Sequence, residues 1–408
     1  MNFRRGLPFL LSMVAGVAHV PGGTGDPFGY FTLTRPARSS GLLGLPMVEG
    51  YRHLGTATAV GTDFIEFGDP LAASMLGTAG SGFIEVREGI HAGLTLQATG
   101  INGHRIFLNR PTVDLVSPGD TVGIRPNFTI GAIFGADNFA ELLEGEDPGS
   151  ADTLGIWDAA TQSSRVYYFK TGAGWREAGN EATGDQSGAV IPYPTALNFI
   201  RRGTTPLEVV VAGAAPMPLT QQILPVWPGR NLLSGPYASA PRIDEWGLRS
   251  PLFPILAGPS APRSDTLRLT YADGSSSQVV YFRENHGWLA VGRPEDAADT
   301  RVEFFQAIDL NRAGPAGYIR FAGVLPTEAS ALRTLPPATV PIQKLGTTAE
   351  GVRIEWASTA GTTYRIQARA TGQAAWSDLG DAVVADGPLC HAFRQPEGNG
   401  ILRILVAP

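Results

Sequence analysis

Hydrophobic and polar positions alternate along this chain in runs of about four to eight residues, bounded by Gly, Pro, Asn and Asp. Such alternation sends successive side chains to opposite faces of a strand. In VYYFKTGAGW (Val166 to Trp175), Val166, Tyr168 and Lys170 share one face and Tyr167 and Phe169 the other. One segment has a helical pattern instead, DNFAELLEG, which predicts a short helix from about Asp137 to Glu144. The pattern as a whole predicts an all-β protein.

The runs are also duplicated. DTLGIWDAATQSSRVYYFKTGAGW (152 to 175) aligns without a gap on DTLRLTYADGSSSQVVYFRENHGW (265 to 288), ALNFIRRG (196 to 203) on AIDLNRAG (307 to 314), and VVVAGAAP (209 to 216) on IRFAGVLP (319 to 326). An entry strand recurs as well, GLLGLP from Gly41 against NLLSGP from Asn231. Self-similarity of this kind marks a repeated structural unit. Residues kept in both copies, Trp175 and Trp288 above all, are expected in the core, while Trp157 and Tyr167, which face Thr270 and Val280 in the second copy, are free for a ligand.

The offset between the copies changes from 190 at the entry strand to 113 beyond it, so about 77 residues are inserted in the first copy. That insertion, at about 55 to 130, has its own strand pattern: TATAV, DFIEF, FIEVREG, GLTLQATG, HRIFLN and SPGDTVGIRP, with Asn102-Gly103 as a hairpin turn. It reads as a small antiparallel barrel. Beyond the second copy, TLPPATVPIQ (334 to 343) has the composition of a Pro-rich linker. The expected order is a first unit over 25–213, a second over 229–326, the linker, and a module over 344–408.

The amino terminus predicts an address. MNFRR is a positive start, Leu7 to Val17 an apolar stretch too short to span a bilayer, and Gly16-Val17-Ala18 a small-residue cleavage site. Residues 1–18 therefore read as a signal peptide, with mature protein starting near His19 and placed in the periplasm, at the outer surface or in the medium. The single cysteine, Cys390, excludes an intrachain disulfide.

Taken with DPFGYFTLT (26 to 34), the GLLGLP strand, the DTLGIWD and YYFKTGAGW hairpin and the ALNFIRRG strand, these features resemble a family of secreted bacterial β-rich proteins with no assigned activity, over roughly 25 to 330. GVRIEWASTAGTTYRIQARATGQAAWSDLG, with Trp356 and Tyr364, resembles the central strands of a fibronectin type III-like sandwich. The resemblance implies location and architecture: a duplicated antiparallel β-unit with an inserted small β-barrel and a C-terminal β-sandwich-like module. It carries no catalytic residue.

Composition narrows the function classes. A net charge of −6 over 408 residues, with 17% charged, gives no footprint for nucleic acid. HExxH, CxxC, P-loop and GxSxG motifs are absent from the sequence. The residues that remain as ligand candidates are Trp157, Tyr167, Trp227 and Trp246, as stacking surfaces for an extracellular glycan. Glu144, Glu146, Asp147 and Asp152, and separately Glu295, Asp296 and Asp299, are acidic clusters with oxygen chemistry suited to calcium or to a glycosidase pair. Three expectations follow: a non-enzymatic structural or interaction protein of the envelope or medium, a glycan-binding protein, or a hydrolase using the acidic loops.

Overall fold

A computed structural model describes residues 28–45, 47–214, 221–234, 243–249, 251, 253–270, 277–292, 307–322, 339–340, 342–348, 350–370, 376–394 and 400–406. The expected signal peptide, most of the Pro-rich segment, and Glu295, Asp296 and Asp299 lie outside the described residues. The regular structure among these residues is nearly all strand, paired antiparallel throughout the named sheets.

The duplication is a duplication of topology. One five-stranded sheet runs Gly174–Glu177, Ser163–Lys170, Thr153–Asp158, Leu197–Ile200, Ser40–Leu43. A second runs Gly287–Ala290, Ser277–Arg283, Thr266–Thr270, Ala307–Arg312, Gly229–Ser234, the same order built from the corresponding segments. Each sheet is covered by an antiparallel strand pair, Phe28–Arg35 with Leu207–Ala214 at the end of a larger sheet in the first unit and Gln221–Val226 with Gly317–Ala322 in the second. In the second unit this pair opens with Gln221–Val226, ahead of the entry strand Gly229–Ser234.

Both copies bury the shared hairpin. Trp175 and Trp288 are closed off from solvent, and each meets the phenylalanine of its own hairpin edge-on, Phe169 at 5.6 Å and Phe282 at 5.5 Å between ring centroids. A polar anchor is repeated too. Asp152 and Asp265 are fully buried. Asp152 accepts from the backbone N–H groups of Leu143 and Arg202 and is paired with the Arg201 guanidinium. Asp265 accepts from Leu256 and Ala313 and is paired with Arg312 at 2.6 Å. Each carboxylate ties the loop ahead of its sheet to the strand end across it.

The insertion is a closed six-stranded barrel from His53 to Pro126. All six expected strands are present, and closure leaves none of them an open edge. Gly103, at φ 60°, sits in the Asn102–Arg105 hairpin turn, where glycine carries no Cβ penalty. Ile65, Ile84, Leu96, Ile106, Val122 and Ile124 fill the interior. One end is closed by Ile223 of the second unit, whose N–H donates to Gly93 O. Gly93 has no alternative, since a Cβ there would stand 2.0 Å from Gln221 O.

The expected helix at 137–144 is corrected. The α-helix is Ile130–Phe134, capped by the Thr129 hydroxyl accepting from Ala132 N–H. Residues 137–144 form a turn instead, because the Asn138 amide bonds both the N–H and the carbonyl of Leu142 and removes those groups from a helical ladder.

The C-terminal module places the sheet of Ile342–Thr348, Gly351–Ala357 and Leu389–Arg394 over a second sheet containing Thr363–Ala370 and Gly400–Val406. That second sheet continues into the first unit, because Gly400–Val406 also pairs with Phe28–Arg35. Tyr30 and Ala212 accordingly sit in one core with Trp356, Ile366 and Ile404. The last part of the expected linker is strand, with Thr339–Val340 pairing onto Gly400–Val406. Cys390 is buried in this module, and burial pushes its thiol pKa up.

Candidate functional site

The four aromatic candidates do not come together. Tyr167 lies fully buried in the first core, where its counterpart Val280 lies in the second, so strand position rather than residue type decides that place. Trp246 is buried against Phe321, with ring centroids 5.3 Å apart, and occupies the segment equivalent to the first unit's helix. Neither ring offers a face to a ligand. Trp157 is half-buried at the seam between the units, packed with Leu42, Ala196 and Leu232, and its indole N–H donates to Arg230 O at 2.8 Å. Trp227 is half-buried with the Arg110 guanidinium 4.0 Å from its ring centroid, and Arg110 also donates to Val226 O and Gly317 O. This arginine fastens the barrel to the second unit, and Trp227 is the surface it rests on.

The acidic candidates do not form a cage. Asp152 is the buried partner of Arg201, whereas Glu144, Glu146 and Asp147 are exposed. Asp147 caps its own turn through Gly149 and Ser150 N–H. Among the described residues no group of three or more His, Cys, Asp or Glu side chains is gathered in a way that suits a metal ion.

A different place is built like a site. A cleft of about 510 Å³ opens where the barrel, the first unit and the C-terminal module meet, within the roughly 300–1,000 Å³ common for ligand sites. The barrel side contributes the Leu76–Ala79 loop and the chain at Glu49 and Arg52, the first unit Phe128 and Ala132, and the module Leu345–Thr348 with Arg353 and Glu355. Its charged groups stand in pairs, Arg52 with Glu49 at 3.5 Å and Arg353 with Glu355 at 3.0 Å.

The barrel wall is held by a buried ionic cluster. Arg125, fully buried, bonds Glu85 at 3.2 Å and Glu49 O at 2.8 Å, and lies 3.4 Å from the centroid of the Tyr51 ring. Tyr51 O–H donates to Glu85 at 2.6 Å, and Arg87 bonds the other carboxylate oxygen. Burial alone would raise the Glu85 pKa, but Arg125, Arg87 and the Tyr51 hydroxyl outweigh it and hold the group below its ordinary value. Residues 49–52 are therefore fixed at the cleft from beneath.

None of these cleft residues stood out in the sequence. The walls lie some 300 positions apart, Arg52 to Arg353, and carry no motif. A signal would have required knowing that Gly400–Val406 pairs onto Phe28–Arg35. Comparison with known proteins adds nothing to the geometry: no family model, no curated protein and no solved structure matches the chain. No helix among the described residues is long and apolar enough to cross a membrane.

Proposed function

We propose that this is a secreted or cell-envelope protein with a structural or interaction role and no catalytic activity of its own. The observation that supports this most is the state of the cleft acids. Glu49 and Glu355 each stand in an ion pair with an arginine of the chain itself, at 3.5 and 3.0 Å, so neither is a carboxylate set apart with a second one across the cleft as a hydrolytic pair needs. The candidate aromatics support the same reading, since two lie in cores and two hold bodies of the molecule together. The sequence-based resemblance to secreted β-rich proteins supplies the location, and the likeness of residues 344–408 to a fibronectin type III-like module agrees with a contact role.

Expression of the full chain with fractionation and amino-terminal sequencing tests the location, with mature protein starting near His19 outside the inner membrane as the expected result. Protein retained in the cytoplasm with Met1 intact would refute it. Incubation with a panel of polysaccharides tests the absence of catalysis. Hydrolysis abolished by Glu49→Gln or Glu355→Gln would replace this reading with that of a hydrolase.

A further inference from the structure

Four consecutive residues, Leu345 to Thr348, line the cleft. Side chains of a strand alternate, so a strand that shows only one face to a cavity contributes every second residue. Here Leu345 is buried in the module core and the Thr347 hydroxyl donates to Val210 O. What this strand brings to the cleft in unbroken sequence is therefore its edge backbone. The sheet order agrees: Ile342–Thr348 is the end strand, and among the described residues its one strand partner is Gly351–Ala357. A free strand edge inside a cleft is a template for main-chain hydrogen bonding.

The side chains around that edge fit the same kind of occupant. Gly346 pairs with Arg353, and a Cβ at Gly346 would meet nothing within 4 Å. A side chain entering from the edge can thus pass over Gly346 toward the guanidinium on the next strand. Glu355, two residues along on the same face, holds the Arg353 Nε at 3.0 Å, so an entering carboxylate would bind the guanidinium beside it, through its other N–H groups. A glycan subsite is less well served, because among the described lining residues Phe128 is the one aromatic ring and is itself buried.

We propose that the cleft binds an extended polypeptide segment of a partner protein, added as a strand to the free edge of Ile342–Thr348, with an acidic side chain reaching across Gly346 to Arg353. This rests on the interaction role proposed above and names the class of partner.

The test uses the full chain and a displayed library of random dodecapeptides, selected on the wild-type protein and counter-selected on Gly346→Leu. Gly346→Leu fills the open space at an ordinary backbone position and is expected to melt with the wild type. Recovered peptides should bind the wild type at least 10-fold more tightly than Gly346→Leu. N-methylation along them should abolish binding at every second residue, and Arg353→Ala should weaken acidic peptides at least 10-fold while leaving their amide versions unchanged. Failure to recover a peptide that discriminates Gly346→Leu, or N-methylation effects without alternation, would overturn the inference. A glycan-array ligand lost in Gly346→Leu would also overturn it, yet leave the interaction role standing, whereas turnover of a glycan would remove both.

Discussion

Asp152 and Asp265 show how one residue type acquires its meaning from position. In sequence Asp152 sits among acidic neighbours and invites a calcium reading; in the fold it is a fully buried anchor whose twin stands at Asp265. Replacing either with Ala leaves an arginine facing an uncompensated site, and stability measured by denaturant unfolding should fall by about 3–5 kcal/mol. Trp175→Ala and Trp288→Ala should each remove about 3–5 kcal/mol by opening a cavity. Trp157 departs from the surface role its unshared position implied. Its N–H bond to Arg230 O and its place at the seam predict a loss of about 1–2 kcal/mol for Trp157→Ala. Duplication made Trp175 and Trp288 legible, because a residue kept in both copies is needed by both. It misplaced Tyr167, because a buried strand position accepts tyrosine in one copy and valine in the other.

At the scale of elements, period-two alternation located the barrel strands and both hairpins, since a half-buried strand must alternate whatever it packs against. The helix was misplaced for a local reason: DNFAELLEG has helical composition, but the Asn138 side chain closes a turn that composition does not reveal. The barrel also carries a pH dependence that its sequence hides. His53, at the head of the first barrel strand, packs edge-on against Phe67, and its buried Nε2 has no hydrogen-bond partner among the described residues. Burial lowers its pKa from the ordinary 6.5, against a smaller opposing pull from Asp69. The unfolded chain therefore takes up this proton first as pH falls, so the contribution of neutral His53 is full above pH 6.5 and is lost progressively below it. Glu85, also lowered in the fold, adds a second loss beginning as pH falls through 4.5. Thermal melts between pH 8 and pH 5 should show stability declining in the wild type and a smaller decline in His53→Leu.

Across the whole molecule, the separate bodies read from sequence are joined by pairings with no local signature. Ile223 closes the barrel, Arg110 rests on Trp227, and Gly400–Val406 extends the sheet that holds Phe28–Arg35. Such contacts link residues up to several hundred positions apart, and alternation, which reports only which face of a strand is buried, says nothing of which strand lies beside it. The cleft exists because of these joints, which make the C-terminal module an integral part of the first unit. Amide hydrogen exchange of Tyr30, Val210 and Ala212 in the full chain and in a chain lacking residues 339–408 tests this most directly. Strong protection is expected in the full chain and its loss on deletion, since most of that core comes from the module. Equal protection in the two proteins would show instead that the first unit is complete without the module.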